Sequence, residues 1–411
     1  MTEVGARGPR PSWLWPVVLV TALQLLTTAG TWWITDHGEI LAVADHFLAS
    51  GELNLADLGP GWEGWARIAA IRGSTETRFL PLSILPLVPF LILDHLFRFP
   101  PSAFRFVHLE GHVFVTLGLI LSGRGLVKRG ATPAVVALCI ILLGLNWPVW
   151  MVARRLGPEP ILFFLMTLFA TGGRHAKLVA LVLLPWVHAS GSLLALGAFG
   201  WSCLEVRSLP SLPMKTALAS LVGGFASVLI LWNLPHGDAV LGSYGRYASD
   251  PFFVPQNPLL GSVKLAVPVV LWTLPLWLGA LDRERRGRLS LLALWFPVVI
   301  FFGTFSTQEP ERRLMPLLGV TLLSVAPLRV GVTRRTSGLL ILYTVVSGAL
   351  GLASDFVDVV PTPLGLFSGP VLGLLRLGMV DGHSVIAAII VVTLLFVALV
   401  AGVRSIKMAV C

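Results

Sequence analysis

Several groups of ionisable side chains stand directly beside long apolar runs. The first is TDHGEILAVADHFLASGELNLADLG (35–59), where Asp36 and Glu39 follow the apolar run 13–34. The second is RRLGPEP, with Glu159 just ahead of an apolar run, and the third is QEPERRLMP, with Glu311, Arg312 and Arg313. Arg78 and Arg105 flank the stretch FLPLSILPLVPFLILDHLF (79–97). The segment 235–261 adds His236, Asp238, Tyr244, Arg246, Tyr247 and Asp250. The chemistry these residue types support is specific. A carboxylate acts as general base on an acceptor hydroxyl, and arginine forks bind a phosphate leaving group. Ionisable groups at membrane depth are costly and mark functional sites.

The motif RFVHLEGH places His108 and His112 four residues apart, with Arg105 on the same helical face. HxExH is not the HExxH of zinc proteases, and two histidines do not complete a zinc shell. A polar face turned toward an active-site cavity and plain packing inside a helix bundle are the competing readings. GSYGRYASD (242–250) lacks the strand and spacing of a nucleotide fingerprint. It reads either as a lid that contacts a sugar-phosphate head through Tyr244, Arg246 and Tyr247, or as an ordinary external loop. Asp36 has two readings as well, a site carboxylate or a helix N-cap.

The elements that carry these residues follow from composition. The chain has 411 residues, of which 55% are hydrophobic and 12% charged, and a mean hydropathy of +0.83. A soluble chain carries about 25% charged residues, so the polar surface here is too small to wrap a soluble globule. In a bilayer, only helices or closed barrels satisfy their own backbone. The apolar runs are near-continuous rather than alternating, which excludes barrel strands. The fold class is therefore an all-α polytopic integral membrane protein forming one transmembrane domain over 1–411. A net charge of +9 invites comparison with nucleic-acid binders. The basic residues, however, sit in short clusters between apolar runs, where they set topology and meet anionic lipid headgroups. Membrane lipids are expected partners and nucleic acid is not.

Candidate spans are 13–34, 104–121, 132–150, 160–172, 178–187, 190–204, 216–234, 262–280, 289–305, 314–328, 337–353 and 384–403. The pair 178–187 and 190–204 reads equally as one broken helix. The clusters Arg7/Arg10, Arg124/Lys128/Arg129, Arg174/Lys177, Arg207/Lys215, Arg283 to Arg288, Arg329 to Arg335 and Arg404/Lys407 belong in the cytoplasm by the positive-inside rule. They fit about twelve crossings (11–13) of the cell membrane with both termini cytoplasmic. Under this scheme 79–97 cannot cross, and Pro81, Pro86 and Pro89 make a straight helix costly, so a re-entrant or interfacial segment is predicted. The outer loops are then 35–103, 151–159, 235–261, 306–313 and 354–383. Residues 38–50 are predicted as an amphipathic helix on the membrane surface. Its apolar face is Ile40, Val43, Ala44, Phe47 and Leu48, and Gly51 ends it. A second short helix is expected around Trp62, Trp65, Ile68 and Ile71.

TDHGEILAVADHFLASGEL resembles the first external loop of the GT-C membrane glycosyltransferases, such as the lipid A aminoarabinose transferases and protein O-mannosyltransferases. The acid, Ala, Leu and Gly of that loop correspond to Asp36, Ala44, Leu48 and Gly51. RFLPLSILPLVPFLILDHLF resembles the family's proline-rich stretch, and PSAFRF its following small-x-x-Arg, which carries over to Arg105. GPEPILFF resembles the second acidic loop, with Glu159 where Asp is usual, and ERRLMPLL resembles a signature in which Tyr is common at the place of Arg313. His37 stands where many members carry a second acid, and Arg78 only approximates the family's lysine.

The resemblance, which spans residue 13 to about 330, implies sugar transfer from a polyprenyl-phosphate-linked donor to an acceptor at the outer face. It implies Asp36 as the general base or the acceptor-positioning carboxylate, with Glu39 beside it, and Glu159 as the second active-site acid. Arg78, Arg105, His108, Tyr244, Arg246, Tyr247, Glu311 and Arg312 are the candidate substrate contacts. No cofactor and no metal site are expected, and a divalent cation remains compatible. The alternatives are a transporter or flippase and a GT-C-like protein without activity.

Overall fold

The structure, a computed structural model, describes residues 13–28, 35–53, 58, 62, 80–97, 106–188, 190–205, 215, 218–224, 226, 258–273, 276, 285–305, 310–325 and 334–355. Every element among them is helical. In chain order these are α1 (Leu14–Leu26), α2 (Thr35–Ser50), α3 (Pro81–Phe97), α4 (Leu109–Lys128), α5 (Pro133–Gly144), α6 (Trp147–Ala153), α7 (Pro158–Thr171), α8 (Arg174–Val187), α9 (Ser190–Glu205), α10 (Pro258–Trp272), α11 (Arg285–Phe305), α12 (Pro310–Leu314), α13 (Leu318–Val325) and α14 (Arg334–Asp355).

Pairwise contacts fix how the central helices run. Thr28 Oγ1 meets His112 Nε2 at 2.8 Å, Thr21 meets Thr116 at 2.9 Å, and Trp13 packs on Gly123. α1 is thus antiparallel to α4. Gly111 lies against Ala153 and Arg155, Gly118 against Phe163, and Gly125 against Thr171 and Leu323. α4, α7 and α13 therefore run in the same direction. α11 runs the other way, since Trp295 Nε1 donates to Thr321 Oγ1 at 2.8 Å while Arg313 stacks over Phe302 at 5.3 Å. The main apolar core lies among these helices.

The two ends of this bundle differ in charge. The C-terminal ends of α4 and α13 carry Arg129, whose Nη1 donates to Leu323 O. Lys177 lies nearby over the Phe169 ring. Burial, reinforced by the Arg129 charge, lowers the Lys177 ammonium from its ordinary range. The opposite end holds His108, Glu110, Arg154, Glu159 and Arg312. Arg129 and Lys177 thus lie at the other end of the bundle from Glu159 and Arg312.

Phe106–Lys128 is long and apolar enough to cross a membrane, and the pair Pro133–Gly144 with Trp147–Ala153 passes together but is bent by 68°. Shorter apolar helices include Leu14–Leu26, Pro81–Phe97, Pro158–Thr171, Ser190–Leu204, Arg288–Thr304 and Ser337–Gly348. Several boundaries move from their expected places. The span placed at 104–121 ends at Lys128, so Arg124 and Lys128 extend the helix itself. The span 132–150 is broken at Leu145–Asn146. Asn146 caps α6 through Oδ1 to Val149 N at 3.2 Å, and Pro148 follows at the helix start, where its missing N–H does no harm. α8 and α9 are separate helices, interrupted at His188, whose backbone is extended.

α2 corrects a further expectation. Gly51 ends it as foreseen, with φ +78 and its N–H bonded to Phe47 O at 2.8 Å. Residues 39 to 44 are buried all round rather than along one stripe, and Ile40 to Ala44 join Ile84, Leu87, Leu91, Val107 and Leu156 in a second apolar cluster. Protein, not a lipid surface, covers this half of the helix. α3 has a 3-10 turn at Leu85–Leu87 around Pro86, and it falls short of the about 20 residues a crossing needs. Trp62 is described as non-helical and donates Nε1 to Asp45 Oδ2 at 2.8 Å. Trp65, Ile68 and Ile71 lie outside the described residues.

Candidate functional site

α7 begins abruptly. Pro158 and Pro160 lie in its first turn, and Gly157 precedes it at φ 146 and ψ −174, a backbone region essentially reserved for glycine. This turn sets Glu159 in the first turn of the helix, where the macrodipole favours negative charge, instead of in the loop expected ahead of it. α12 brings Arg312 to the same place. Arg312 Nε donates to Glu159 Oε1 at 2.5 Å, with the two side chains 5% and 7% exposed. Arg313 Nη1 stands 3.9 Å from the same oxygen. A Cβ on Gly157 would lie 3.1 Å from Glu159 Oε2, 3.9 Å from Ile40 Cδ1 and 4.0 Å from an Arg312 nitrogen. Ile40 follows Glu39, itself fully buried. The first and second acidic segments of the sequence are therefore in contact.

A second set of polar contacts joins α3 to α2 and to the start of α4. His108 closes a 3-10 turn (Phe106–His108), and Asp94 of α3 accepts from Phe106 N at 2.6 Å and Val107 N at 3.4 Å. His95 Nε2 meets Asp45 Oδ1 of α2 at 2.8 Å. The proline-rich segment is thus tied to both α2 and the start of α4. Asp94→Ala is expected to cost about 1–3 kcal/mol, because the two N–H groups lose their acceptor in a buried place, while Asp94→Asn costs less. Thermal unfolding of the purified variants measures this.

Arg154 and Arg155 are 3% and 8% exposed, and neither stood among the expected site residues. Their signal was present as a doubled arginine one residue ahead of Gly-Pro-Glu, in a stretch expected only as the outer loop 151–159. Glu110 was passed over in the same way. Among the described residues no three His, Cys, Asp or Glu side chains are grouped as a metal shell requires.

Of the expected site residues, Glu39, His108, Glu159 and Arg312 are brought to one end of the bundle. Asp36 lies in the first turn of α2 and Glu311 in α12, but their side chains fall outside the described part. Arg78, Arg105, Tyr244, Arg246 and Tyr247 lie outside the described residues.

No protein-family model matches the chain, and no curated protein matches it. Among solved structures it is similar to ArnT from Cupriavidus metallidurans in the apo state. The TM-score is 0.54 at 15% identity, covering 95% of this chain and 72% of ArnT. It is also similar to the same protein bound to undecaprenyl phosphate, with TM-score 0.51 at 12% identity, covering 96% and 77%. The likeness is one of fold and runs nearly the whole length of the chain. The helices that set Glu159 against Arg312 thus lie in a fold that this chain shares with ArnT.

Proposed function

We propose that this protein is a glycosyltransferase that moves a sugar from a polyprenyl-phosphate-linked donor to an acceptor at the outer face of the cell membrane. The observation that carries the proposal is the buried Glu159–Arg312 pair at the helix ends of a GT-C-like fold, next to Gly157, which lies against Ile40 of the helix that follows the first span. The solved ArnT bound to undecaprenyl phosphate supports a lipid phosphate as the donor's carrier. In this reading the chain is one transmembrane domain of about twelve crossings with both termini cytoplasmic.

The reaction needs few parts. The acceptor hydroxyl attacks the anomeric carbon, the carbon–oxygen bond to phosphate breaks, and polyprenyl phosphate leaves. Asp36 takes the hydroxyl proton, with Glu39 nearby on the same helix. Arg312 holds the leaving phosphate, with Arg78, Arg105 and Arg246 assigned from the sequence. Glu159 orients Arg312 by holding its Nε, which keeps the guanidinium plane fixed. The arginines carry the phosphate charge, so this reading calls for no cofactor.

The test incubates purified protein with radiolabelled polyprenyl-phosphate sugars and membranes. Label should move to a membrane acceptor with wild type and stay on the donor with Asp36→Ala. Full transfer by Asp36→Ala removes Asp36 from the chemistry. Absence of transfer from every donor, with substrate-dependent transport into proteoliposomes, overturns the function.

A further inference from the structure

Glu110 stands in the first turn of α4 and is 1% exposed. Neither of its carboxyl oxygens has a hydrogen-bond partner among the described residues. The Glu159 charge acts on it through space, so the two acids share one region of the bundle end. The next residue, Gly111, packs closely: a Cβ there would meet the carbonyl oxygens of Arg155 and Ala153 at 2.6 and 2.7 Å, so this turn of α4 lies directly against the segment that leads into Glu159.

A buried carboxyl without partners is destabilising. The start of a helix offers unbonded N–H groups that a carboxylate there commonly accepts, yet Glu110 takes none. An apolar side chain would fill this position without that cost. A ligand group that donates hydrogen bonds would satisfy the carboxyl. A phosphate diester has no proton to donate and would face two acids. Hydroxyls of a sugar donate freely, and one carboxylate accepts from two neighbouring hydroxyls.

We infer that Glu110 is a further substrate-binding residue, which accepts hydrogen bonds from hydroxyls of the sugar head group beside Glu159. The inference rests on the glycosyltransferase reading and adds a residue and a subsite to it.

The experiment measures binding of three probes to purified full-length protein: undecaprenyl phosphate, undecaprenyl-phosphate glucose and undecaprenyl-phosphate mannose. Wild type should bind at least one sugar-bearing lipid about tenfold more tightly than the bare lipid, the worth of one or two hydrogen bonds. Glu110→Gln and Glu110→Leu should bind the bare lipid as wild type does and lose that preference. Glu110→Leu should also melt at a higher temperature, because it removes a buried group without partners. Retained sugar preference in either variant, or a lower melting temperature for Glu110→Leu, overturns the inference. Equal binding of all three probes by wild type overturns it too and leaves lipid-phosphate recognition standing. Wild type that binds none of them overturns the functional reading itself.

Discussion

Arg312→Ala is expected to abolish transfer and to destabilise the protein by about 3–5 kcal/mol, the range for breaking a buried ion pair from one side. The cost comes chiefly from Glu159, which is left 5% exposed with its nearest cation removed. Arg313, at 3.9 Å and partly committed to the Phe302 ring, is too distant to replace it. The double variant Glu159→Ala/Arg312→Ala removes both charges, so much of the stability should return while activity does not. Arg312→Lys keeps the charge but loses the fork that reaches carboxylate and phosphate together, and it should retain stability better than activity. Unfolding in detergent, paired with undecaprenyl phosphate binding, separates the two effects. A fully stable and active Arg312→Ala would show that the pair has no part in the site.

Gly111→Ala should lower stability by about 1–3 kcal/mol, the cost of forcing extra volume into a packed interface. It should also weaken lipid-phosphate binding. The atoms that a new methyl would meet are backbone carbonyl oxygens of Ala153 and Arg155, which have no side-chain freedom to give way. They lie at the end of α6 and in the short connection that leads into Gly157 and Glu159, so α4 and this segment must separate, and Glu159 moves with them. Gly338→Ala is the matched control. Gly338 lies inside α14 with open space around it, so the change should stabilise by about 0.5–1 kcal/mol through helix propensity. Melting temperatures of the two variants should shift in opposite directions.

Much of the fold was legible in the sequence because bilayer-scale apolarity leaves so few options. With too little charge to coat a soluble surface, the chain had to be helical, and every element among the described residues is. Several of the charges also fall at separate helix ends. Arg129 and Lys177 lie at the opposite end of the bundle from Glu159 and Arg312, since a charge at a helix terminus is fixed to one side by the helix length alone. The end of α2 was readable for a similar local reason, because Gly51 supplies the positive φ that closes the helix. Where local chemistry competed with hydropathy, the sequence misled. The run 132–150 looks continuous, but Asn146 and Pro148 start a new helix within it.

Asp36, Glu159 and Arg312 stood out from the sequence by residue type and by their place beside apolar runs. What the sequence could not contain was which of these groups touch. Glu159 and Arg312 are 153 positions apart, and their pairing depends on α7 and α12 meeting at one bundle end, which is decided by packing along α4. Burial was hidden for the same reason. Asp36, Glu39 and Asp45 are spaced among apolar residues as on a surface helix, and only the presence of α3 and Leu156 encloses residues 39 to 44 all round. Arg154, Arg155 and Glu110 did not stand out, because charge in a sequence says nothing about which neighbours will exclude water from it.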